Sequence, residues 1–198
     1  MFDLPILIKT FGYIGIFAAV FAESGLLVGF FLPGDSLLFT AGFLASQGFG
    51  NVALLAVGSF VAAVVGDSIG YAFGKKIGPR LFRRERSFFF RPEYVARTRA
   101  FYAIHGGKAI ILARFMPVVR TFAPVLAGVG EMRYSTFFSY NIIGGFLWAV
   151  GLSLLGYTLG SVIPNIDRYI APIVLSVIII SVIPPVLHYR QERKKNFK

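Results

Sequence analysis

The chain of 198 residues has no cysteine, two histidines and one tryptophan. The missing thiols exclude a disulfide, a thiolate metal site and a cysteine nucleophile. Acidic side chains are scarce as well, nine against twenty Lys and Arg, which leaves a formal net charge of +11. A secretory leader is not apparent either. Asp3 and Pro5 stand where a basic n-region would be, and apolar residues continue past position 20 without a small-residue cleavage site. The first segment is therefore expected to stay with the protein. What fills the chain instead is hydrocarbon: 56% of its residues are hydrophobic, in runs too long and too frequent for a soluble domain of this size.

The positive excess raises nucleic acid as a partner, and its distribution argues against that. Ten of the twenty basic residues fall between Lys75 and Lys108, and five more between Arg190 and Lys198. Both clusters lie beside apolar spans, where Lys and Arg mark cytoplasmic loops. They set topology first, with a secondary attraction to anionic lipid worth about 1 kcal/mol per residue. The expected partner is the phospholipid bilayer, with no nucleic acid; the oligomeric state is left open.

The expected fold is an all-α membrane protein, an inverted repeat of a re-entrant helical hairpin plus a transmembrane helix, with an additional C-terminal transmembrane helix. A single membrane domain covers 1–198. An N-terminal segment and the first re-entrant hairpin occupy 1–50, and a span follows over 51–74. A basic cytoplasmic loop with an amphipathic helix fills 75–108. The second re-entrant hairpin takes 109–131, spans follow over 135–160 and 169–188, and 189–198 is a basic cytoplasmic tail. Each span offers the roughly 20 residues that cross a 30 Å hydrocarbon layer. Segment 109–131 starts and ends on the cytoplasmic side and contains Pro117, Pro124 and two arginines, which suits a hairpin better than a crossing. Segment 12–48, interrupted at Pro33-Gly34, enters from the opposite face, and a full crossing by about 5–24 is the alternative.

An internal echo supports the pairing. With an offset of 86 residues, Ala41-Gly42 meets Ala127-Gly128, Gly58 meets Gly144, Phe60 meets Phe146 and Ala63-Val64 meets Ala149-Val150. Gly70-Tyr71 likewise meets Gly156-Tyr157, and Gly74 meets Gly160. Inverted repeats with broken helices meeting near the midplane are a transporter architecture, whose paired Gly/Pro breaks flank the substrate site.

Charges inside these apolar runs are the candidate functional residues, because one ionised side chain at bilayer centre costs about 2.5–3.5 kcal/mol even on lenient scales. Glu23 and Asp35 flank the first break, and Arg114 and Arg120 flank the second. Asp35 can cap the helix that follows it, a role that does not exclude a share in the site, whereas Glu23, with Ala19, Val20, Leu26 and Leu27 apolar around it, has no such local role and is the stronger proton-coupling candidate. The arginines with Thr121 are candidate phosphate ligands, since a guanidinium offers forked hydrogen bonds to an anion; the alternative is that they neutralise the acids as structural ion pairs. Asp67 is either a third acid of the cavity or a partner of Arg114 or a loop lysine. Tyr71 and Tyr157 are read as packing residues, and Asn141, Gly144, Gly145 and Trp148 as close-contact and interfacial residues.

At these residues the chain resembles the DedA family, known in eukaryotes from VTT-domain (SNARE-associated Golgi protein-like) members. The motifs are FAESGLLVGFFLPGDSLLFTAG at 21–42, GDSIGYAFGKKIG at 66–78, ARFMPVVRTFAPVLAG at 113–128 and YNIIGGFLW at 140–148. Lys75, where many members have arginine, and Gly145, where alanine is usual, are small departures. The resemblance implies a multi-pass protein of the bacterial cytoplasmic membrane with a cytoplasmic C-terminus, and two opposed re-entrant hairpins. It also implies an essential acidic pair at Glu23 and Asp35 and an essential arginine pair at Arg114 and Arg120. Members are implicated in flipping the lipid carrier undecaprenyl phosphate across the bilayer, and some in proton-dependent membrane homeostasis.

The leading expectation is a lipid transporter, or flippase, for a polyprenyl phosphate, with protons as a candidate coupling ion. A proton-coupled cation or drug antiporter and a non-transporting membrane scaffold are the alternatives. No enzyme, cofactor or metal is expected: a lipid phosphatase would want histidines beside its arginines, and His105 and His188 lie elsewhere in the sequence.

Overall fold

The computed structural model describes residues 4–26, 33–82, 100–102 and 104–162, and these are helical with short connections. Helix α1 covers Leu4–Gly25, α2 Gly34–Ser46 and α3 Val52–Phe82. A second series follows as α4, Lys108–Arg114, then α5, Pro117–Val129, and α6, Tyr134–Val162. The expected span 169–188, the tail 189–198 and most of the amphipathic helix lie outside the described residues.

Among the described residues, two helices are long and apolar enough to cross a bilayer, Val52–Gly78 with 27 residues and Tyr134–Val162 with 29. Their polarity is inside out. Leu54, Val57, Val61, Val65, Ile69 and Phe73 form an exposed stripe along α3 at three- and four-residue spacing, the arrangement that faces hydrocarbon. The buried side instead holds Glu23, Ser59, Asp67, Arg114, Arg120, Asn141 and Ser153. Water would favour the reverse, since burying a charge is costly and exposing a continuous apolar face brings no gain. Asn51 starts α3 from the end of the preceding loop, its Oδ1 accepting the N–H groups of Ala53 at 2.9 Å and Leu54 at 3.1 Å.

The long helices α3 and α6 run antiparallel, as Asn141 Nδ2 donates to the Val64 carbonyl at 3.1 Å and Phe60 meets Phe146 edge to face. The arm entering each break lies along the long helix of its own series. Phe17 packs on Gly58 and Gly25 on Gly66, so α1 runs parallel to α3; Gly107 sits on Tyr140 and Gly144 on Ile111, so α4 runs parallel to α6. The arm leaving each break crosses to the other series, α2 onto α6 and α5 onto α3.

These crossings use the glycines of the 86-residue echo. A Cβ at Gly42 would overlap the Ser153 carbonyl and one at Gly156 the Phe39 carbonyl. Equivalently, a Cβ at Gly128 would overlap the Tyr71 carbonyl and one at Gly74 the Val125 carbonyl. Backbones approach this closely only where no side chain intervenes.

Both breaks reach the same level of α3, Gly25 lying against Gly66 and Arg114 against Asp67. On the first side, α1 ends at Gly25, and Pro33 precedes the first residue of α2, Gly34. The second break is at Phe115-Met116, with Pro117 opening α5, where its missing N–H removes no helical bond. Pro124 departs from expectation: it lies inside α5 and does not interrupt it. It forfeits one helical hydrogen bond, and its ring packs where Gly70 leaves space on α3.

Candidate functional site

The ends of α1, α2, α4 and α5 bring the expected charges together against α3 and α6, and they form two groups. In the first, Arg114, the last residue of α4, donates from Nη2 to Asp67 Oδ2 on α3. Its Nη1 donates to both the backbone oxygen and Oδ1 of Asn141 on α6, each at 3.0 Å. All three side chains are buried. Both terminal nitrogens of Arg114 are thus committed to the protein, and the residue ties the two long helices together. Asn141 is a member of this group as well as a packing residue.

Arg120, in the first turns of α5, forms the second group. Its Nη2 donates to Glu23 Oε1 at the end of α1, and its Nη1 donates to Asp35 Oδ1 at 2.6 Å. One guanidinium thereby bridges acids on both arms of the first break, a fork geometry that lysine could not supply. Glu23 lies so close to the start of α2 that a Cβ at Gly34 would fall on its carboxylate, which accounts for glycine there. The two acids differ in access: the Glu23 side chain is 4% exposed and the Asp35 side chain 43%. Asp35 does not cap its helix, since α2 has no side-chain cap; its carboxylate is directed to Arg120.

Trp148 was expected at the interface and is instead 3% exposed in the core. Its indole N–H donates to Asp35 Oδ1 at 2.6 Å, and the Arg120 guanidinium lies over its ring at 4.8 Å from the centroid. The face spacing from Asn141 through Gly144 and Gly145 to Trp148 carried the signal, because these positions share one side of a helix.

Several polar atoms around this group lack a partner among the described residues: Glu23 Oε2, Arg120 Nε and Thr121 Oγ1, all buried. Thr121 is therefore beside the site without a bond into it. Tyr71 packs as expected, buried against Phe137, with its hydroxyl donating to the Met132 carbonyl. His105 takes no part in either group's hydrogen bonds, and its Nδ1 lies 3.0 Å from the Phe101 carbonyl oxygen. A separate apolar cavity of about 1120 Å³ lies between this segment and the flank of α4 and α5, lined by Tyr102, His105, Lys108, Leu112 and Met116 among others. Tyr102 closes one wall by donating to the Ala123 carbonyl at 3.0 Å, and burial pushes its phenol up to about 12, so it remains a donor at neutral pH.

A helical protein with an apolar exterior and ion pairs gathered on its inner side is an integral membrane protein. The VTT domain family matches residues 32–158. The chain is 43% identical to Protein DedA of Escherichia coli (strain K12) over 184 residues, covering 92% of this chain and 84% of that one. It is 44% identical to an uncharacterized membrane protein of Mycobacterium leprae over 168 residues, 85% of this chain and 75% of the relative. It is also 33% identical to inner membrane protein YqjA of Escherichia coli over 148 residues, 75% and 67% of the two chains. The chain belongs to the DedA family of VTT-domain membrane proteins. No solved structure is significantly similar to it.

Proposed function

We propose that this protein is a transporter that moves a polyprenyl phosphate, undecaprenyl phosphate being the family's implied substrate, between leaflets of the bacterial cytoplasmic membrane. In this reading the two broken-helix pairs are re-entrant hairpins of an inverted repeat. Arm length supports it for α2 and α5, which have 13 residues each and span about 20 Å, short of the roughly 30 Å hydrocarbon layer, whereas α1 with 22 residues is as long as a crossing helix and enters the pair as its longer arm. The swapped crossings and their echoed glycines support the repeat.

The observation that carries the function is Arg120, held by one buried and one half-exposed carboxylate. Arg114 is the structural clamp and Arg120 the exchangeable cation. A lipid phosphate arriving on the Asp35 side competes with Asp35 for the guanidinium. Among the described residues, Glu23, Asp35 and Asp67 against Arg114 and Arg120 leave one negative charge in excess when all are ionised, and a single proton removes it. Protonation of an acid frees Arg120 for phosphate; deprotonation restores the pair and expels it. No catalytic residue, cofactor or metal enters this reading.

Purified protein in liposomes tests it through Asp35→Asn and Arg120→Lys. Asp35→Asn is expected to bind prenyl phosphate more tightly while transport slows at least tenfold, because release is lost. Arg120→Lys is expected to lose both, being unable to fork between acids and phosphate. Normal transport by either folded variant refutes the assignment. The uncompensated acid also supports a second reading, a proton-coupled cation antiporter, distinguished by cation uptake driven by a pH gradient with no prenyl phosphate present.

A further inference from the structure

We infer that Trp148 is a positioning residue that holds Asp35 whenever Arg120 turns to a phosphate, an inference resting on the transport reading above. Asp35 Oδ1 receives two donors at 2.6 Å, the Arg120 Nη1 and the Trp148 indole N–H. The same indole lies under the Arg120 guanidinium, so one side chain touches both members of the exchangeable pair. Trp148 stands in a π-helical turn, Phe146–Val150, inside α6, a wider turn that recurs at functional positions.

The charged groups around Asp35 are Glu23 from α1 and Arg120 from α5, with Arg114 and Asp67 in the adjoining group. Among the described donors to its carboxylate, only Trp148 is uncharged and has no competing anion to serve. When Arg120 leaves, the part of the 43%-exposed Asp35 side chain that stays covered would carry a desolvation cost, which the indole N–H relieves. A donor shared with a guanidinium contributes less than the same donor acting alone. The indole N–H therefore stabilises the separated state more than the paired one. Its ring face, attractive to a cation in either state, keeps the guanidinium nearby.

The test uses the full chain in nanodiscs, with geranyl phosphate as the probe and calorimetric titration as the readout. Trp148→Phe keeps a ring under Arg120 and removes the N–H. It is expected to raise the Kd about tenfold, equivalent to about 1.4 kcal/mol. In an Asp35→Asn background the same substitution should change the Kd less than about twofold, since the charge it served is gone. Equal costs in both backgrounds, or no cost in either, overturn the inference, whereas a merely structural tryptophan would show equal costs. Trp148 is the chain's sole tryptophan, so its emission reports this contact without labels. If the wild type binds no geranyl phosphate, the transport reading fails by itself. The positioning role is then judged by emission during acidification. A change present in the wild type and absent in Asp35→Asn upholds it, and identical curves overturn it.

Discussion

Arg114 and Arg120 stand in one short motif and carry the same group, yet their surroundings separate them. Arg114 spends its terminal nitrogens on Asp67 and Asn141 in the core. Removing it leaves a buried carboxylate and a buried amide without their partner, and breaking a buried pair costs about 3–5 kcal/mol. Arg114→Ala is thus expected to lower the thermal unfolding midpoint in detergent sharply, with Arg114→Ala/Asp67→Ala recovering part of the loss. Asp35→Asn, at a half-exposed carboxylate, should shift the same midpoint little. Comparable midpoints for Arg114→Ala and wild type would remove the distinction between clamp and exchangeable cation. The four charges and both breaks were legible because ionised residues in apolar runs stand out by composition alone. The partners were not: Arg120 reaches Glu23 and Asp35 across 97 and 85 positions of sequence, and only tertiary packing decides which acid lies within a side chain's length. The core position of Trp148 is hidden in the sequence for a related reason, since an amphipathic ring suits an interface and a polar core equally well.

Among elements, the informative contacts are the helix crossings that swap between the two series. At Gly42, Gly74, Gly128 and Gly156 an added Cβ meets the backbone of the facing helix, whereas at Gly15 and Gly151 it meets nothing within 4 Å. Backbone cannot rotate aside as a side chain can, so the helices would have to separate. Gly74→Ala and Gly156→Ala are each expected to cost about 1–3 kcal/mol through overpacking. Gly15→Ala and Gly151→Ala should be neutral or stabilising by up to about 1 kcal/mol, the helix propensity gained over glycine. Thermal unfolding in one detergent compares all four, and equal effects at packed and open sites would contradict the crossings. The echo of these glycines was readable in the sequence, together with the two long helices and the prolines, Pro33 and Pro117, beside which α2 and α5 start. That Pro124 continues a helix was not, because a proline's effect depends on whether the carbonyl it leaves unbonded and its ring find room in the packing.

At the scale of the whole molecule, both breaks meet at the level of Gly66 and Asp67 in α3, and each long helix is flanked by arms from both series. If the arms are re-entrant, the ends of each pair emerge on one face: Gly48 follows the first pair on the outside, while His105 and Arg133 bracket the second on the inside. The chain is free of cysteine, so single substitutions give a clean map. In intact cells an impermeant maleimide should label Gly48→Cys and leave His105→Cys and Arg133→Cys unlabelled until the membrane is opened. A crossing by the second pair would put His105 and Arg133 on opposite faces, and labelling of one without the other would exclude the hairpin. The outcome bears on transport as well as topology. Two pairs entering from opposite faces leave Arg120 at the only depth both faces can reach, so small rotations of one series against the other would expose it alternately. Two crossings would instead enclose it, and the same five charges could then do no more than hold each other.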